Sequence, residues 1–163
     1  MRGMKRVDFY HLQRWPLEQA LPPLLSKVQE SGQRAVVLTA SRERAEALSA
    51  VLWTWKPDSW LPHGTPGDGF DAEQPVWLAE KDTRPNGAAI LLLTDGMTSS
   101  RMDEYDRCLD LFDGRDPDAV QSARERWKAC RDKGWEMHYW QQTERGGWTE
   151  KASANTDASH QSG

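Results

Sequence analysis

Arg124, Lys128 and Arg131 recur at i, i+4 and i+7 in a stretch with helical periodicity, which sets three cations along one stripe. Val120, Ala123, Trp127 and Cys130 form the adjacent stripe, with Trp127 at the seam. Cations beside an indole can pair with the carboxylates of an acidic peptide while an apolar side chain of that peptide packs on the ring. Arg124 in particular suits bidentate carboxylate pairing. Trp53, Trp55 and Trp60 form a second group, close together across a helix end and a loop. Trp55 continues the Ala45, Leu48, Leu52 stripe and so points to the core. Trp53 then falls on another helical face and Trp60 in a proline-bounded loop, positions suited to anchoring a second protein. Each group has a plain structural alternative: a solvated cationic face with Trp127 in the core, or tryptophans that simply fill the interior.

The remaining reactive residues make no catalytic pattern. The turns after the first two strands, His11 to Pro16 and Ala40 to Arg42, lack the glycines that let backbone amides approach a phosphate. The Gly64-Thr65-Pro66-Gly67-Asp68-Gly69 cluster has no Lys-Ser/Thr behind it and reads as a loop. Asp95-Gly96 could place a carboxylate at a strand end, but this pair is also ordinary turn chemistry. His11, His63, His138 and His160 are scattered, Cys108 and Cys130 are not at ligand spacing, and neither H-E-x-x-H nor G-x-S-x-G occurs. The expectation is no catalytic residue, no metal and no cofactor.

These residues need a scaffold. Val7–Leu12 reads as a strand, and Leu17, Leu21, Leu24 or Leu25, and Val28 as a helix that Pro22-Pro23 should kink or restart. Arg34–Thr39 is a buried strand, Ser41 caps a helix that Pro57 ends, and the Pro/Gly-rich residues 56–75 form a loop. Strands are expected at Val76–Ala79, Ala88–Thr94, Arg107–Phe112 and Trp135–Gln142. Asp116-Pro117 opens the long helix that carries the cationic stripe, and Gly134 stops it. Strands alternating with helices imply a doubly wound α/β fold with a mainly parallel sheet. The polar run after Trp148 has no large apolar residue, so the expected organisation is one domain over 1–148 and a disordered tail over 149–163.

Composition narrows the function classes. No apolar run reaches the ~18 residues of a membrane span, and the basic N-terminus leads into no apolar signal segment, so a cytoplasmic protein with reduced thiols is expected. The net charge of −4 argues against a surface built wholly to grip nucleic acid. Within that balance, the acidic stretch 94–118 precedes a locally basic one at 120–134. Nine Trp against three Phe and three Tyr favour binding surfaces, where rings are partly buried and partly available.

In order along the chain stand Phe9-Tyr10-x-Leu12, Gly32-x-Arg34, Leu52-Trp53, Pro57-x-Ser59-Trp60-x-Pro62-His63, and Ala123-Arg124-Glu125-Arg126-Trp127-Lys128-Ala129-x-Arg131 with Gly134-Trp135. With these motifs most of the stretch 4–148 resembles the chi subunits of bacterial DNA polymerase III. The resemblance implies a Rossmann-like three-layer α/β/α fold without a nucleotide-binding glycine loop, and a non-catalytic adaptor in the clamp-loader assembly. It implies binding of the acidic C-terminal tail of single-stranded DNA-binding protein (SSB) through Arg124, Trp127, Lys128 and Arg131, with DNA reached indirectly through SSB. It further implies docking of the partner subunit psi, or of a helicase or another clamp-loader protein, through Trp53 and Trp60. Departures are Pro22-Pro23, the Asp-rich stretch after Asp95, and the polar tail. The competing readings are a nucleotide-binding α/β enzyme and a direct single-stranded DNA binder.

Overall fold

The computed structural model describes residues 5–55 and 62–156. In chain order the elements are β1 (Arg6–Leu12), α1 (Leu17–Glu30), β2 (Ala35–Leu38), α2 (Arg42–Thr54), β3 (Val76–Ala79), β4 (Ile90–Leu93), β5 (Arg107–Asp113), α3 (Pro117–Asp132), β6 (Glu136–Gln142) and β7 (Trp148–Ala154). All strands join one sheet of order β3-β2-β4-β5-β1-β6-β7, parallel except for the antiparallel β6–β7 pair. Strands β2, β3 and β4 are buried throughout, as parallel strands covered on both faces must be.

Alternation along the strands divides the core into two layers. Tyr10, Leu12, Val37, Leu78, Leu92 and Leu111 pack with the apolar stripes of α1 and α2. Phe9, Leu38, Trp77, Leu91, Phe112 and Met137 pack on the other face with Ala123 and Cys130 of α3. The three-layer α/β/α expectation holds. Ser41 caps α2 by accepting from the Arg44 N–H at 3.1 Å. Helix α1 runs unbroken through Pro22 and Pro23 instead of restarting. The N–H groups these prolines lack would reach back only to the carbonyls of Glu18 and Gln19 in the first turn, and Gln19 is open to water.

The expectation of a disordered tail over 149–163 is corrected for its first residues, while residues 157–163 lie outside the described residues. Residues 149–154 are not disordered: they form most of β7, registered on β6 from Gln142↔Trp148 to Met137↔Ala154. An edge strand exposed on both faces needs no large apolar residues when backbone pairing and end contacts hold it. Asn155 supplies one such contact, its Nδ2 donating to the carbonyls of Arg131 (3.1 Å) and Trp135 (2.8 Å), which ties the end of β7 to the end of α3.

His138 supplies another, lying 2.6 Å from Glu136 and 2.5 Å from Glu150 across the β6–β7 pair. Burial opposes its charge, but the two carboxylates outweigh burial and raise its pKa above the usual imidazole value. A raised folded-state pKa means stabilisation that is complete below about pH 6.5 and lost as pH rises through the higher folded value. Amide exchange in β7, corrected for intrinsic rates, should therefore accelerate relative to β2 across that window. His138→Gln should remove the pH dependence, and an unchanged profile in the variant would dismiss the clasp.

Candidate peptide-binding site

Helix α3 starts where Asp116 accepts the Asp118 N–H at 3.0 Å, with Pro117 in the first turn, and ends at Gly134, whose φ of +81° suits a residue without a Cβ. At ~1.5 Å per residue, Arg124 and Arg131 lie about 10 Å apart along its axis. The cations of α3 are not equivalent. Arg126 turns inward and clasps Asp110 of β5 at 2.6 and 3.0 Å, with both side chains nearly buried. Arg124 and Lys128 are exposed and have no ion-pair partner among the described residues, and the Arg131 guanidinium pairs with its neighbour Asp132 at 3.6 Å. The helix thus anchors itself with one arginine and presents three other cations to solvent.

Trp127 is half-buried beside that row. Its ring meets Phe9 edge-on at 5.5 Å and Tyr139 at 5.8 Å. Tyr139 in turn lies 6.0 Å from Phe112, and its hydroxyl is 2.6 Å from His11 Nδ1. Burial lowers the His11 pKa against the opposing effects of Gly114 and Asp113, with a smaller contribution from the Arg124 charge; burial raises that of Tyr139 against the pull of Arg124. The four expected residues therefore stand together on one helix, and the structure adds His11, Phe112 and Tyr139 from three strands as an aromatic floor. Sequence reasoning missed these three. Their signal is two-residue alternation in β1 and β6, meaningful only once β6 is known to lie parallel to β1 with Phe9 opposite Tyr139.

The second expected group is only partly visible. Trp53 is 63% exposed at the end of α2, and its ring lies tilted against that of His63 at 4.3 Å; His63 is itself buried with Nε2 3.1 Å from the Ser49 carbonyl. Trp60 lies outside the described residues.

A crevice of about 570 Å³ opens at the C-terminal ends of β1 and β5, where doubly wound sheets hold nucleotides. Here five carboxylates line it (Glu18, Asp95, Asp113, Asp116 and Asp118), and its arginines 44, 115 and 126 all pair with carboxylates. The backbone N–H groups of Gln13, Arg14 and Trp15, in the turn that would face a phosphate, converge on the side-chain oxygen of Gln142 at 3.2, 2.8 and 2.8 Å. Asp95 binds Arg44 and the Ala40 N–H. Both cysteines are buried free thiols, with burial pushing Cys108 up to about 12 and Cys130 up to about 11. Among the described residues no acid, histidine and cysteine cluster could hold a metal ion, and no helix is long and apolar enough to cross a membrane.

Residues 4–138 match the family described as DNA polymerase III chi subunit, HolC. A probable DNA polymerase III subunit chi from Rickettsia prowazekii is 29% identical over 93 residues, covering 57% of this chain and 56% of the relative. Subunit chi of Escherichia coli is 26% identical over 145 residues, covering 83% of this chain and 97% of the relative; that of Haemophilus influenzae is 23% identical over 124 residues, covering 74% and 84%. The chain spans little more than half the length of the Rickettsia relative. The family match includes all of β1, β5 and α3, which carry His11, Phe112, Trp127 and the cationic row, and it ends at residue 138, just before Tyr139 of β6. The chain belongs to the DNA polymerase III chi subunit family, whose place is that of an accessory subunit in DNA replication.

Proposed function

We propose that this chain is a non-catalytic cytoplasmic adaptor that captures the acidic C-terminal tail of SSB on α3 and so links the clamp-loader assembly to SSB-coated DNA. The observation that carries this reading is the division of labour among the α3 cations. Arg126 is bound to Asp110, whereas Arg124, Lys128 and Arg131 face solvent beside the Trp127–Tyr139 wall. An extended acidic segment can run along the cations while its apolar end packs on the rings. The acid-lined crevice, with its turn amides already directed at Gln142, supports an adaptor over a nucleotide enzyme.

A fluorescent peptide with an acidic run and an apolar C-terminal residue should bind with an affinity that falls as salt rises. Arg124→Ala and Lys128→Ala should each cost about 1–2 kcal/mol of binding. Undiminished binding in the double variant would remove the site, and tighter binding to bare oligonucleotide than to SSB-coated oligonucleotide would favour direct DNA binding instead.

Trp53, with Trp60 from the same stretch, forms the proposed anchor for psi or for a helicase or another clamp-loader partner. Trp53→Ala should weaken that partner by about 2 kcal/mol, the scale of an aromatic hot spot. Because most of the Trp53 side chain is exposed, Tm and SSB-peptide affinity should hold steady. Loss of both interactions together would mean that the ring supports the fold instead.

A further inference from the structure

The sheet face opposite the α3 face carries a groove of about 550 Å³ between α1 and the β6–β7 hairpin. Its size falls in the range of sites that hold a few residues of peptide or a small molecule. Trp140 and Trp148 wall one side, Lys27 stands on the α1 rim, and Tyr10 and Arg107 lie between them. Among the described residues no Asp or Glu lines it, in a chain whose net charge is −4.

The walls are held rigidly by a buried charge. Asp8, fully inaccessible to solvent, accepts from Arg107 Nε at 2.7 Å, from Arg6 Nε at 3.0 Å and from the Trp140 indole N–H at 2.9 Å. Burial would raise its carboxyl pKa, but these donors hold it below the usual range, so it stays ionised. Trp148 packs edge-on against Tyr10 at 4.9 Å. Aromatic side chains fixed in place before binding lose little freedom on contact, which favours affinity.

We propose that this groove is a second docking surface, specific for a peptide segment carrying a large apolar side chain beside a carboxylate. The apolar group packs against Trp140 and Trp148, and the carboxylate meets Lys27 and the outer edge of Arg107. Lys27 is exposed and has no ion-pair partner among the described residues. A nucleic-acid strand would need a track of free cations, and Arg107 is already paired with Asp8, so a peptide is favoured. Trp140, Gly147 and Trp148 lie beyond residue 138, where the family match ends.

The probe is the amidated peptide acetyl-Asp-Asp-Leu-Phe-Asp-amide, which has no terminal carboxylate. It is titrated into the full chain carrying Arg124→Ala and Lys128→Ala, so that α3 is silenced. The indole N–H signals of Trp140 and Trp148 should shift saturably while that of Trp127 stays in place. Adding Lys27→Glu should weaken binding about tenfold, and Lys27→Arg should retain it. No shift at either indole, an unaltered affinity in Lys27→Glu, or stronger displacement of the same signals by oligothymidylate would each overturn the proposal.

Discussion

Arg126→Ala is expected to destabilise the protein by about 3–5 kcal/mol, the usual result of stripping one partner from a buried ion pair. For a chain of this size that lowers Tm by roughly 10–15 °C. The Arg126 guanidinium makes two bonds to Asp110, at 2.6 and 3.0 Å, and a third to Ser122 at 2.7 Å, with the arginine side chain only 10% exposed. Without it the Asp110 carboxylate is left alone in the layer between sheet and α3. Burial already pushes that carboxyl upward, and in the variant it takes up a proton. A folded-state pKa raised above the unfolded one means that the folded form binds the proton more readily, so the penalty grows as pH rises and shrinks as it falls. Thermal unfolding of Arg126→Ala should thus lie closer to that of the parent at pH ~5 than at pH ~8. The pair Asp110→Asn with Arg126→Met should recover much of the loss. A loss below about 1 kcal/mol in Arg126→Ala would show that the pair does not hold α3 to the sheet.

Gln142→Leu, which keeps much of the volume and deletes the acceptor, should cost about 2–4 kcal/mol. Three backbone N–H groups lose their common partner, and each unsatisfied donor costs about 1–3 kcal/mol when fully buried. Residues 13–15 are exposed, so water recovers part of this and the total falls short of three full penalties. Gln142→Glu separates the acceptor from the amide. Its carboxylate would accept from the same three donors, which depresses its folded-state pKa. The stabilisation is then present above the unfolded value of about 4.3 and disappears as pH falls through the lower folded value. Chemical denaturation of both variants at neutral and acidic pH checks this. Equal stability of Gln142→Leu and the parent would deny the side chain its role in the turn.

The elements that hold these residues were legible where a local rule sufficed. Ser41 and Asp116 announce helix starts, Gly134 a stop, and the continuous apolar runs of β2 and β4 a covered parallel sheet. The cationic row needed only helical spacing. What escaped depends on strand order. Nothing local says that β6 leaps over β1, so Tyr139 could not be placed beside Trp127 and His11, nor Asp110 identified as the partner of Arg126. Strand β7 escaped because its stability lies in backbone pairing and in partners such as His138 and Asn155, which apolar periodicity does not register.

The placement of β1 between β5 and β6 governs when this protein can acquire its structure during synthesis. Arg6 pairs in register with Arg107 on one side and Glu136 on the other, so the first strand to leave the ribosome waits about 100 residues for β5 and about 130 for β6. Until then its backbone offers two unpaired edges, a template for association with other nascent chains. Helix α3 belongs to the crossover that straddles β1, so its register on the sheet is set only when β5 and β6 close around that strand. A translation product that stops before β6 should therefore lack the Tyr139 side of the cationic and aromatic face and be prone to aggregation.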